Sequence, residues 1–278
     1  MGRGYGSGSY PKPVERQPRP TSSLTSDRSQ RPSTPARIPP KPSQGTAVLL
    51  YKFKSCSGLL YLLDILVHQR LYCSPYADLN DPFEGQFKTL IKSIGFDPED
   101  ISDPNLRRMF AGANERLQKR PRTKFLDLHE VPGIGNPRVC SLTSTCSDVR
   151  MWSLYGDSHQ GVAIELDFTG AMQRVHEVKY VDALPKLGET LHGPPTAVDV
   201  LTYKTTHWKY EAEYRLIEQN PHIDVTGRIK RVLLGTRTDS AIRELLVKLL
   251  PADAKLMQME LDHDGAQVRI GREIERVV

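Results

Sequence analysis

The stretch "SDVRMWSLYGDSHQGVAIELDF", Ser147–Phe168, changes period halfway, and that change decides the fold class. Its first half reads as a helix. Ser147 or Asp148 can cap the first turn, and Trp152, Tyr155 and His159 recur at i, i+3 and i+7 on one face. Gly161 is placed to end that helix. The second half alternates: Val162, Ile164, Leu166 and Phe168 make a core face, while Glu165 and Asp167 are expected on an outward polar face.

The same mixture extends in both directions. "TAVLLYKF" from Thr46 reads as a buried strand, and Leu59, Leu62, Leu63, Leu66 and Val67 follow at helical spacing. "RLYCS" is a short strand closed by the loop "LNDPFEG", Leu79–Gly85, where Asn-Asp-Pro forms a turn and Phe83 is placed to peg the loop to the core. A polar, helix-prone segment runs from about Asp97 to Gln118, followed by the basic "KRPRTK". "RVCSLTS", "HEVKYV", "IKRVLLG", "KLMQMELD" and "AQVRIGREI" read as further strands, and "DSAIRELLVKLLP" as an amphipathic helix. Residues 183–200 read as a loop. Strict βαβ alternation is missing, so the expected fold is α+β: a single domain over 47–278, with a central mixed or antiparallel sheet flanked by helices.

Residues 1–46 are different in kind. They are rich in Gly, Ser, Pro and Arg, and such a composition buries too little apolar surface to offset chain entropy. A disordered basic tail is expected there, with an export or targeting segment as one role and an inert solvated tail as the other. The tail carries eight Lys/Arg against two acids, leaving 30 basic and 31 acidic residues in the remainder. The net charge of +5 therefore belongs to the tail, and no dedicated DNA-binding surface is expected in the folded part. No apolar run approaches the ~20 residues that cross a bilayer, so no membrane span is expected. Four cysteines without a C-x-x-C pair imply neither a structural metal nor a disulfide framework, and reduced buried thiols are the simpler reading. Location is then cytoplasmic, or inside a host cell if the tail directs secretion.

The densest chemistry lies in "THWKYEAEYRLIEQ", Thr206–Gln219. Read as a half-buried strand, it puts Glu211, Glu213 and Arg215 on one face, with Trp208, Tyr210 and Tyr214 on the other as the anchoring side. Two carboxylates in one cleft would have their pKa values pushed apart, whereas a rim ion-pair network would have Arg215 neutralise both. Spacing alone leaves the two open.

The ordered pieces "LLYKF", "LNDPFEG", "VCSLTS", "MWSLYGDSHQGVAIELDF", "VKYV" and "KTTHWKYEAEYRLI" resemble a widespread bacterial domain-of-unknown-function family, over about residues 47–240. More distantly, a Tyr-bearing first strand, the "LTST" segment and a late E-x-E are similar to ADP-ribosyltransferases, among them bacterial toxins and effectors. That second resemblance implies NAD as substrate and a protein or nucleic-acid acceptor, with no metal. It implies that Glu213 stabilises an oxocarbenium-like transition state and that Glu211 orients the acceptor, beside Arg215. Tyr51, Lys52, Asn80, Asp81 and Glu84 would line the dinucleotide site, with Trp152, Tyr155 and His159 offering rings to the nicotinamide. Two alternatives stand beside it: a non-enzymatic ligand-binding or interaction domain, and a metal-dependent nuclease of a defence system built on Asp81/Glu84, Glu165/Asp167 and Glu211/Glu213.

Overall fold

The computed structural model describes residues 47–91, 97–191 and 195–275. The tail expected over residues 1–46 lies outside the described residues.

In chain order, β1 (Leu49–Lys54) and α1 (Leu59–His68) precede the short strands β2 (Arg70–Tyr72) and β3 (Ser74–Pro75). Next come β4 (Gln86–Ile91), α2 (Pro104–Lys119) and β5 (Arg122–Asp127), then β6 (Arg138–Thr143), α3 (Val149–Leu154) and β7 (Val162–Asp167). β8 (His176–Glu177), β9 (Lys179–Val181), α4 (Ala197–Leu201) and β10 (Tyr203–Thr205) lead to β11 (Glu213–Glu218) and β12 (His222–Asp224). The chain closes with β13 (Ile229–Leu234), α5 (Ser240–Leu249), β14 (Lys255–Asp262) and β15 (Gln267–Glu273).

These elements make the expected α+β fold around a nine-stranded mixed sheet, in the order β15-β14-β13-β7-β1-β6-β11-β8, with β3 added beside β6. Most neighbours are antiparallel; β13 and β14 are parallel and joined through α5, whose start is capped by Asp239 accepting from Ala241 N at 2.7 Å. Helices α1 and α5 cover one face through Leu62, Ile65, Leu66 and Leu246. Each such buried side chain contributes about 1.5–3 kcal/mol of hydrophobic stabilisation. Met151 and Trp152 of α3 cover the other face, against Tyr51, Phe53, Ala163 and Leu233. A third cluster lies beneath the β4–β5 pair, around Phe87, Leu128, Val139 and Leu201.

Several expectations are corrected. β7 lies between β1 and β13 with apolar clusters on both faces, so Glu165 is buried, at 2% exposure, rather than outward. It survives there because Arg231 forms a two-pronged ion pair with it and Tyr51 donates to it at 2.9 Å. Helix α3 stops at Leu154, well before Gly161, because Asp157, Ser158 and His159 all take left-handed φ values of 52°, 53° and 70°. Its cap is Asp148, which accepts from Arg150 N at 2.8 Å. "HEVKYV" is two strands in two different sheets, and the 183–200 stretch ends in α4. The antiparallel pairing of β4 with β5, on either side of α2, carries no clear period in the sequence.

One irregularity in the sheet matters most. β1 and β6 pair at Tyr51 and Thr143 alone. Were the antiparallel register to continue, Lys52 would oppose Leu142, Phe53 Ser141 and Lys54 Cys140. Instead the strands part, and Lys52 Nζ reaches across to donate to Ser141 O at 2.8 Å.

Candidate active site

A cavity of about 190 Å³ fills the parting between β1 and β6, lined by Tyr51, Lys52, Phe53, Leu79, Asn80, Ser141, Leu142, Thr143, Met151, Tyr155, Lys204, Glu211 and Glu213. Segments distant in sequence meet here: β1, the 79–85 loop, β6, the end of α3, β10 and the start of β11.

Glu211 and Glu213 reach the cavity by a route that the alternating reading did not contain. Thr206–Glu211 is a 3₁₀ helix, and Ala212 takes a left-handed φ of 42°, so β11 begins only at Glu213. The anchoring is also inverted. Glu211, Glu213 and Arg215 are 4%, 3% and 1% exposed, while Trp208, Tyr210 and Tyr214 are only half-buried.

A closed ionic network accounts for that burial. Arg215 Nε and Nη2 donate to Glu213 at 2.8 and 2.9 Å, its Nη1 donates to Leu201 O at 2.6 Å, and its fork also grips Glu84, with Nη2 to Oε2 at 3.0 Å. Lys204 Nζ bridges Glu211 at 2.6 Å and Glu213 at 3.2 Å, and sits 4.7 Å from the centre of the Trp208 ring. Tyr155 donates its hydroxyl to Glu211 at 2.5 Å and accepts from Asn80 Nδ2 at 2.8 Å. The parallel pair β9–β10 sets Lys204 beside Tyr180, whose hydroxyl accepts from Glu213 N at 2.8 Å.

The electrostatics follow from these contacts. Burial opposes ionisation of Glu213, yet Arg215, Lys204 and the Ser141 hydroxyl overcome it and hold its pKa at about 2. Burial pushes Glu84 up, and the Arg215 guanidinium offsets this only in part. Burial and the bond to Glu211 push Tyr155 up, so it stays a protonated donor. The Lys204 ammonium loses hydration on burial, but Glu213 and Glu211 raise its pKa and keep it charged.

Of the residues singled out in the sequence, Glu211, Glu213, Tyr51, Lys52, Asn80 and Tyr155 line one cavity. Arg215 lies behind it, outside the lining, with its guanidinium bound to Glu213. Glu84 is likewise behind, bound to Arg215. Asp81 folds back on its own loop, accepting from Phe83 N at 3.0 Å, and is buried. Phe83, expected as the peg, is 52% exposed; the buried acids hold the loop instead. Trp152 is fully buried, edge-on to Phe53 at 4.9 Å, with its Nε1 donating to Cys146 O at 2.8 Å, and so offers no ring to the cavity. His159 stacks on Trp152 at 6.3 Å and does not line the cavity, since the left-handed turn carries it off the helical face. Lys204 was missed: a lone lysine in "LTYKTTH" shows no signal until its neighbours in space are known.

Of the three carboxylate pairs of the nuclease alternative, Glu84, Glu211 and Glu213 come together around Arg215 and Lys204, while Asp81, Glu165 and Asp167 are engaged elsewhere. Glu165 is taken by Arg231, and Asp167 accepts from Thr169 N at 2.8 Å. Among the described residues no group of three or more His, Cys, Asp or Glu is placed to hold a metal ion. Among the described residues, too, no helix is long and apolar enough to cross a membrane. Comparison of the chain with protein-family models, with curated proteins and with solved structures found no match.

Proposed function

We propose that this cavity is the active site of an ADP-ribosyltransferase-like enzyme that takes NAD as substrate and transfers ADP-ribose to a macromolecular acceptor. The observation that carries this reading is Glu213: a carboxylate on the cavity wall, held ionised by Arg215 and Lys204. A group with a pKa of about 2 is a poor general acid and a permanent anion. Such an anion, fixed and largely shielded from water, suits a reaction that builds positive charge, as the ribose does when the bond from its C1′ to the nicotinamide nitrogen breaks. Nicotinamide leaves with the bonding pair, and an acceptor nucleophile closes on C1′ and loses its proton.

Glu211, clamped by Lys204 and Tyr155, would orient that acceptor. Tyr51 and Tyr155 supply the aromatic walls, and Lys52 a cation for the dinucleotide phosphates. Sites for drug-sized ligands occupy ~300–1,000 Å³. The cavity of about 190 Å³ would therefore hold the nicotinamide and part of its ribose, with the rest of the dinucleotide outside.

The test is incubation of the full chain with NAD labelled on the adenylate phosphate, alone and with a cell lysate. Label transfer or nicotinamide release is expected, and both should fall about 10²–10³-fold in Glu213→Gln, the loss typical of one removed transition-state contact. A folded protein that neither binds nor cleaves NAD overturns the proposal. The second reading, a binding module without catalysis, draws on the fact that every acid of the network already has a cationic partner. It is favoured if Glu213→Gln loses only stability.

A further inference from the structure

Beside the parting of β1 and β6 lies a pair of thiols that the chemistry above does not use. Cys73 and Cys140 are free, and each is 0% exposed. β3 runs antiparallel to β6 with Ser74 opposite Val139, so one step back sets Cys73 opposite Cys140. Tyr76 N donates to Pro137 O at 3.2 Å, while Cys73 N turns away to Pro221 O at 2.8 Å. Cys73 and Cys140 therefore form a non-hydrogen-bonded cross-strand pair, the kind with side chains closest and Cα atoms ~4.5 Å apart. Disulfides span Cα separations of ~4.4–6.8 Å, so this pair needs no large backbone movement to close.

We propose that Cys73 and Cys140 are a peroxide-oxidised, reversible disulfide site in the core beside the cleft. Cys140 is the attacking sulfur. The Cys73 thiol donates to it and the Lys52 and Lys54 ammonium groups face it, which together pull its pKa down against burial. Cys73, with its proton committed to Cys140, is pushed up. In the first step the Cys140 thiolate takes the near oxygen of hydrogen peroxide; the O–O bond breaks and hydroxide leaves. The Cys73 sulfur then displaces hydroxide from the Cys140 sulfenic acid, and the thiol protons complete two waters. Two thiols lose two electrons in all, and one peroxide gains them. Closure removes the thiolate that Lys52 faces, and Lys52 is a wall of the cavity, so oxidation alters the charge presented to a ligand.

The experiment treats the folded full-length chain with hydrogen peroxide, unfolds it in iodoacetamide and maps its peptides without reductant. A cross-linked Cys73–Cys140 peptide is expected, released by dithiothreitol, retained in the double variant Cys56→Ser/Cys146→Ser and lost in Cys73→Ser or Cys140→Ser. In Cys73→Ser, Cys140 should be trapped by dimedone as the sulfenic acid. At pH 5, where the thiol form dominates, Lys52→Met should slow formation of the cross-link about tenfold, the change in thiolate fraction that one pKa unit brings there. The proposal is overturned if both thiols remain alkylatable, if Cys140 passes to the sulfinic acid with Cys73 intact, or if the cross-link joins Cys56 or Cys146. None of these readouts depends on NAD.

Discussion

Arg215 and Glu84 lie 131 positions apart in the chain and close on one another as a fork buried at 1% and 8% exposure. That pair ties the 79–85 loop to β11, and the same guanidinium aims Glu213 at the cavity. Removing the cation would strand the buried Glu84 carboxylate and leave Glu213 with Lys204 alone. Arg215→Met is expected to cost about 3–5 kcal/mol in urea unfolding, the usual loss when one partner of a buried ion pair is deleted. Glu84→Gln, which keeps a hydrogen-bond acceptor in place, should cost clearly less.

The acid limb of stability should belong to Glu213. Its folded pKa of about 2 lies below the ordinary value of 4.5, so its contribution is present above that ordinary value and is lost as pH falls towards 2. Glu213→Gln should flatten the thermal midpoint between pH 4.5 and pH 2. Glu84 works in the opposite sense and in another window: burial raises its pKa above 4.5, so its protonation adds stability as pH falls towards 4.5, and Glu84→Gln should remove that gain while leaving the limb below pH 4.5 unchanged. Midpoints measured by calorimetry from neutral pH down to pH 2 in the three proteins check the pair of expectations.

Tyr155→Phe removes one hydroxyl with two partners, Glu211 and Asn80. About 1 kcal/mol of stability should go with it. If Glu211 orients an acceptor, transfer to the acceptor should fall more than NAD cleavage by water, and comparing the two rates in one preparation shows it.

Gly161 and Gly235 sit where backbones cross. A Cβ on Gly161 would meet Lys54 O at 2.3 Å, and one on Gly235 would meet His159 O at 2.1 Å, against main chain that cannot swing aside. Either alanine variant is expected to lose about 1–3 kcal/mol by overpacking, read as a lowered unfolding midpoint.

How much of this was legible in the sequence can be traced residue by residue. The strands at 49–54, 138–143, 162–167 and 229–234 announce themselves as apolar runs, and α5 by its period. Which residues meet was visible in outline, since Tyr51, Asn80, Tyr155, Glu211 and Glu213 all line one cavity. The polarity of burial was not. A buried charged face and a solvated one have the same alternation, and only the partner decides: Arg231 for Glu165, Arg215 for Glu84, Lys204 for Glu211. Ala212 adds a second reason. One left-handed residue between Glu211 and Glu213 breaks the two-residue rhythm on which their shared strand face was argued, and alanine gives no warning of it.

The parting of β1 from β6 gives the domain a seam. On one side run β15, β14, β13, β7 and β1, on the other β6, β11 and β8, and among the described residues along the cavity the two strands β1 and β6 are stitched only by the Tyr51–Thr143 pairing and the Lys52 tether. A molecule lodged in that seam would act as a rivet between two halves of a sheet, stiffening main chain that no loop closure could reach. Its signature would be slowed amide hydrogen exchange at Lys52 and Phe53 in step with Ser141 and Leu142, two stretches almost ninety positions apart that would tighten together.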